Sequence, residues 1–164
     1  RLDPAGAMVP PAEQDMGLWR GGLIGEGARL LDAAAALGAT GPRQLLAGIH
    51  GLHLSRRDTG VTPWAAIVGL YDALALFRPD AVTGVNRAVA VGEASDAAAG
   101  LAALDAVPGA GRLTNWLPYQ AARAGLCDRA GLTGDAAAAY HAALALGPAP
   151  AERLYLERRL AALT

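Results

Sequence analysis

The sequence contains no lysine. All fourteen of its basic residues are arginine, set against fifteen acidic ones, for a net charge of −1. Nucleic-acid-binding surfaces concentrate positive charge, so the composition predicts that this chain by itself does not bind DNA. Cysteine occurs once, at Cys127. That excludes an internal disulfide and fits a reducing, cytoplasmic compartment. Apolar residues make up 53% of the chain, yet no run approaches the roughly 18 needed to cross a membrane. The opening RLDPAGAMVP has neither a cationic start before an apolar block nor a cleavage site, so it does not read as a signal peptide. It also lacks an initiator methionine, which predicts a piece of a longer protein. Arginine without lysine, with abundant Ala and Gly, suggests GC-rich bacterial coding. No segment alternates apolar and polar residues with period two, so no sheet is expected and the fold class is all-α.

The organising stretch is Leu117 to Pro150, LPYQAARAGLCDRAGLTGDAAAAYHAALALGPAP. Its first half closes at Gly131. Its second opens at Thr133 and carries Ala136, Tyr140, Ala143 and Leu144 on one helical face before Gly147-Pro148 stops it. Small residues that let helices approach, an aromatic that fills the gap and a punctuating proline resemble the back half of a tetratricopeptide (TPR) repeat. Gln120 and Arg123 stand where that pattern has a large apolar pair. Thirty-six residues upstream the same roles recur: Ala88 for Ala124, Ser95 for Gly131, Gly100 for Ala136, Leu104 for Tyr140, Val107 for Ala143, with Arg87 matching Arg123. A period of this size predicts stacked antiparallel helical hairpins, TPR-like in the C-terminal half, with Gly100 and Ala136 at equivalent close contacts.

Along the chain, residues 1–14 read as an extended lead-in. Asp15 is expected to cap a helix to about Leu37, with Trp19, Leu23, Leu30 and Ala34 as its packing stripe. Glycines 17, 21, 22, 25 and 27 oppose that helix by about 0.8–1 kcal/mol each unless a neighbour packs against them. Pro42 opens a second helix with Leu45, Ile49 and Leu52 inward. Ser55–Val61 reads as a polar loop in which Arg56-Arg57 are a solvated pair. Thr62-Pro63 starts a third helix, with Trp64, Ile67, Tyr71 and Leu74 aligned, ended by Pro79. The two hairpins follow, separated by the Gly-rich loop Gly109–Asn115. The last helix starts at Pro150, with Leu156, Leu160 and Leu163 inward. Residues 1–62 and 63–164 are thus an N-terminal helical part and a hairpin part, packed as one domain.

Candidate chemistry is sparse. His50 and His53 share a helix face at i, i+3, but lack the companion ligands of a closed metal site and read as half-buried polar residues. Cys127 and His141 fall inside the hairpin helices, where a core thiol outweighs a nucleophile. The glycines at 21–27 follow no strand and make no phosphate loop. No metal, cofactor or enzymatic activity is expected. Protein contact is better represented. Trp64 leads an intact apolar stripe and reads as core, whereas Trp116 sits at a loop edge and is the surface candidate. Asn86 and Arg87 interrupt the small, apolar VTGVNRAVAV: buried they need partners, exposed they can be read by another molecule.

QDMGLWRGGLIGEG (14–27), GPRQLLAGIHGLH (41–53), PWAAIVGLYDAL (63–74), VNRAVAV (85–91) and AERLYLERRL (151–160) occur in this order in one bacterial family. Across essentially its whole length the chain resembles the C-terminal extension of a group of extracytoplasmic-function (ECF) RNA polymerase sigma factors. The departures are Arg20, where an acidic residue is usual, and Met16, where a basic one is. The resemblance implies a cytoplasmic regulatory domain that modulates transcription initiation. Its partners would be RNA polymerase and the sigma regions of the same polypeptide, with no membrane contact. Arg87 and Arg123 would then lie on the docking surface; alternatively each is paired inside the domain, with Asp72, Asp96 or Asp128. The other functional class is a free-standing TPR-like adaptor that binds peptides.

Overall fold

The computed structural model describes residues 1–163. Eight helices follow one another: α1 (Gly21–Ala36), α2 (Pro42–Thr59), α3 (Trp64–Phe77), α4 (Ala81–Ala94), α5 (Ala97–Asp105), α6 (Leu117–Arg129), α7 (Thr133–Ala145) and α8 (Pro150–Ala161). Each packs on the next, as a stack of antiparallel hairpins. Among the described residues, the only β pairing is a single antiparallel bridge between Leu2 and Met8. The all-α expectation holds.

The 36-residue echo is a structural repeat. Helix α6 starts 36 residues after α4 (Leu117 against Ala81), and α7 starts 36 after α5 (Thr133 against Ala97). Ala88 and Ala124, Leu104 and Tyr140, and Val107 and Ala143 are buried at both places, as are Gly100 and Ala136. The closing turns differ, and α5 is shorter than α7, 9 residues against 13. Gly131 takes the left-handed φ of +71°, whereas Ser95 stays at negative φ. Asp80 and Asp96 cap α4 and α5 by accepting from the amides of Thr83 and Ala99, each at 2.8 Å.

Packing explains the small residues. A Cβ on Gly100 would stand 2.8 Å from the Gly92 Cα and 2.6 Å from Leu126 Cδ2. Helices α4 and α5 therefore touch backbone to backbone, and the second repeat inserts Leu126 against the contact. In the second hairpin, Ala124, Cys127, Ala136, Ala139, Tyr140 and Ala143 form one cluster with Leu156 of α8. Another cluster joins Leu45 and Ile49 of α2 to Ile67 and Leu74 of α3 and Ala90 of α4. Helices on both sides of residue 62 thus share a core.

Three local expectations need correction. Asp15 caps only a turn of 3₁₀ helix, Met16–Leu18, by accepting from the Gly17 amide at 2.8 Å. The true helix begins at Gly21, and its inward stripe is Ile24, Leu31 and Ala34, leaving Leu23 and Leu30 outside. Helix α2 continues through the supposed loop to Thr59. The Ser55 and Thr59 hydroxyls donate to the carbonyls of Leu52 and Ser55, Arg56 and Arg57 suit the carbonyl end, and Gly60 at φ +74° supplies the stop. Residues 110–115 form a turn of 3₁₀ helix rather than an open loop.

The glycines of α1 also behave differently from one another. Only Gly21 lies against a neighbour, the Arg57 guanidinium. A Cβ on Gly22, Gly25 or Gly27 would meet open space. The same substitution should therefore act with opposite signs. Gly25→Ala is expected to stabilise by about 0.8–1 kcal/mol through helix propensity alone. Gly100→Ala is expected to destabilise by about 1–3 kcal/mol through overpacking against backbone. Chemical-denaturation midpoints of the two variants check this, and a Gly100→Ala chain as stable as the parent would contradict the close crossing.

A polar lock fastens α8 to the second hairpin. The Tyr140 hydroxyl donates to Asp128 Oδ2 at 3.0 Å, and Arg159 Nη2 donates to the same oxygen at 2.5 Å. Burial above all, with the Asp128 carboxylate adding and Arg159 opposing, pushes the Tyr140 pKa up from 10.0 to about 12. The proton is held more tightly in the folded chain. The resulting stabilisation, about 2–3 kcal/mol, is complete below pH ~10 and is lost as pH rises from about 10 to about 12. Melting midpoints should fall over that window. In Tyr140→Phe the fall should be smaller though not absent, since burial also raises Tyr71 and Tyr155. At neutral pH that variant should lose only about 0.5–1.5 kcal/mol.

Candidate functional site

Both arginines at equivalent repeat positions reach back to the preceding helix. Arg87 Nε on α4 donates to Asp72 Oδ1 on α3 at 2.5 Å, and Arg123 Nη1 on α6 donates to Asp105 Oδ1 on α5 at 2.7 Å. Asp72 is one of the carboxylates the sequence offered for internal pairing; Asp105 was not among them. Each arginine side chain is more than a third exposed, so each pair is worth about 0–1 kcal/mol to the fold. Arg129 and Glu93, themselves 36 residues apart, pair between α6 and α4. Asn86 is exposed on α4. Trp116 is half-buried: it packs on the cluster of Val85, Leu104 and Tyr119 and forms the entry to α6, so it is less available than its loop-edge position suggested.

The histidines are separated by environment. His50 is exposed, while His53 packs edge-on against Trp64 with ring centroids 5.1 Å apart. Burial first, then the neighbouring His50 and Arg56, lower the His53 pKa and favour its neutral ring. Among the described residues no three His, Cys, Asp or Glu side chains converge as a metal site requires. Cys127 is buried, and burial raises its thiol pKa, away from the reactive thiolate. An open groove of about 620 Å³ between α7 and α8 is walled by Ala137, Leu160 and Leu163, with Thr133, His141 and Glu157 also lining it.

Sequence reasoning missed two surfaces. The first is on α1. Leu23, Leu30 and Leu37 are spaced by seven residues and are 59, 66 and 79% exposed, with Leu18 just upstream at 66%. No residue of α1 is buried. The signal was present in the adjacent pair Leu30-Leu31, which gives the helix one leucine for each face.

The second surface holds residues 1–19. Arg56, read from the sequence as a solvated loop residue, is a clamp. Its Nη1 and Nη2 donate to the carbonyls of Ala12 and Gln14 at 2.8 and 3.1 Å, its Nε meets Met16 Sδ, and its guanidinium covers the Trp19 ring at 5.6 Å. Residues 1–9 form a small hairpin against α8. Met8 N–H donates to the Ala151 carbonyl at 2.9 Å, and Arg158 Nη1 donates to Asp3 Oδ2 at 2.7 Å. The bond from Arg158, first of all, holds the Asp3 carboxyl below its ordinary pKa. No periodicity could have revealed either partner, because the Asp3–Arg158 pair spans 155 residues.

No family model and no solved structure matches the chain. An uncharacterized protein of Rhizobium meliloti (strain 1021) is 34% identical to it over 160 residues, a stretch that takes in 98% of this chain and 37% of that protein. The chain therefore spans little more than a third of the length of the relative it matches, and is similar to one part of a longer polypeptide.

Proposed function

We propose that the chain is the regulatory, protein-contacting domain of an ECF-type RNA polymerase sigma factor. It docks on the sigma regions of the same polypeptide and so modulates transcription initiation by RNA polymerase. The observation that carries this reading is the outer face of α1. A helical stack needs terminal elements with polar outer faces, yet the first helix presents Leu23, Leu30 and Leu37 to solvent. Burying three such leucines contributes about 3–6 kcal/mol. That suffices for docking when the partner is tethered at an effective concentration in the millimolar range. The motifs from Gln14-Asp15 to Leu160 and a relative with far more chain than this domain support such a tethered partner. Direct DNA contact has no part in this reading. Arg87, Arg123, Arg129, Arg158 and Arg159 already face carboxylates.

The test is a promoter-directed transcription assay with the full-length factor carrying Leu23→Ser, Leu30→Ser and Leu37→Ser. Because these side chains are exposed, the domain's unfolding free energy should stay within about 1 kcal/mol of the parent's. Transcription should change at least about tenfold, the effect of about 1.4 kcal/mol or more of lost docking. Unaltered transcription from the triple variant would refute docking through α1.

A further inference from the structure

Helix α8 has two working faces. Leu156 and Leu160 turn toward α7 and its cluster. Ala151, Leu154 and Arg158, at i, i+3 and i+7, form a different face, which residues 1–14 approach. Met8 donates to Ala151, a Cβ on Gly6 would lie 4.0 Å from Leu154 Cδ1, and Asp3 pairs with Arg158. On the α2 side, Arg56 takes two backbone carbonyls of the same segment. These are the kinds of contact by which a protein holds a peptide: main-chain bonds that need no particular side chain, plus one charge pair that selects.

The segment also holds its own shape. It shapes itself, with Asp3 Oδ1 accepting from the amides of Ala5 and Ala7, Gly6 at φ +84° making the turn, and the Leu2–Met8 bridge closing it. Of residues 1–14 only Ala7 is buried, and Leu2 remains 63% exposed. No large side chain anchors it in a core, which places it among the first parts of the molecule to open.

We propose that the α8 face Ala151–Leu154–Arg158, with Arg56 of α2, is a recognition site for a carboxylate-bearing peptide that folds into a tight turn, and that residues 1–14 fill it in cis. A partner peptide therefore competes with the chain's own segment, which sits at a high effective concentration. The site does not depend on the sigma-factor reading, since it lies on α8 and α2 and not on the leucine face of α1.

The probe is a fluorescent synthetic peptide with the sequence of residues 1–14, titrated by anisotropy against the full chain. Wild-type chain should bind it weakly, because the cis copy occupies the site. The Asp3→Arg chain, with its own segment repelled by Arg158, should bind it at least about tenfold more tightly. Adding Arg158→Ala or Arg56→Ala to that chain should abolish the gain, and a probe carrying Asp3→Arg should not bind. A Met8→Pro chain, which loses the donor to Ala151 and keeps every group of the site, gives the same reading should Asp3→Arg fold poorly. If the probe does not bind folded Asp3→Arg or Met8→Pro chains, the lead-in is a fixed part of the fold and the proposal is overturned. Gains that persist without Arg158 and Arg56 would overturn it as well.

Discussion

The structure depends on how closely helices can approach at small residues. At Gly92 and Gly100 the backbones of α4 and α5 meet with no side chain between them, and Leu126 of the following repeat closes over the contact. In the second hairpin Ala136 stands at the Gly100 position, in one buried cluster with Ala124, and Tyr140 stands where the first repeat has Leu104. Close crossing fixes the spacing of each hairpin. The Leu126 insertion then fixes one hairpin on the next, because interiors packed at crystal-like density leave no slack for a shifted register.

Charge follows the same geometry. Arg87 and Arg123 occupy repeat positions where an apolar residue is usual, and each leans back to a carboxylate on the helix before it. Arg129 meets Glu93, its own counterpart one repeat earlier. Individually these exposed pairs contribute little. With Arg158 and Arg159, which face Asp3 and Asp128, they account for five of the seven arginines after residue 80. The arrangement leaves the apolar ends of the stack, rather than its charged flank, as the places where another polypeptide can gain free energy.

The two ends are finished differently. The C-terminal end is closed by α8, locked through Asp128, Tyr140 and Arg159 and then covered by residues 1–9. The N-terminal end is closed by α1, whose inner side meets α2 through Leu31 and a carbonyl at Ala34 that accepts from Gln44, while its outer side is leucine. Three glycines facing open space lower the intrinsic stability of that helix further. A terminal helix that is both weak by itself and apolar outward is suited to being completed by a partner.

Sequence alone determined the helical class, the hairpin repeat and most of the core. Spacing of Ala88, Gly100, Leu104 and Val107 against Ala124, Ala136, Tyr140 and Ala143 is a local, periodic property, and local periodicity survives folding unchanged. It also determined the starts of α3 and α8, where a proline admits few alternatives. Tertiary structure decided which of two leucine faces α1 turns toward α2, since Leu30 and Leu31 are equally apolar and only the position of α2 distinguishes them. It decided that Arg56 clamps Ala12 and Gln14, that Arg123 chooses Asp105, and that Asp3 finds Arg158. Those partners lie 18 to 155 residues apart, and nothing periodic in a chain encodes a contact between residues that meet only when the stack has formed.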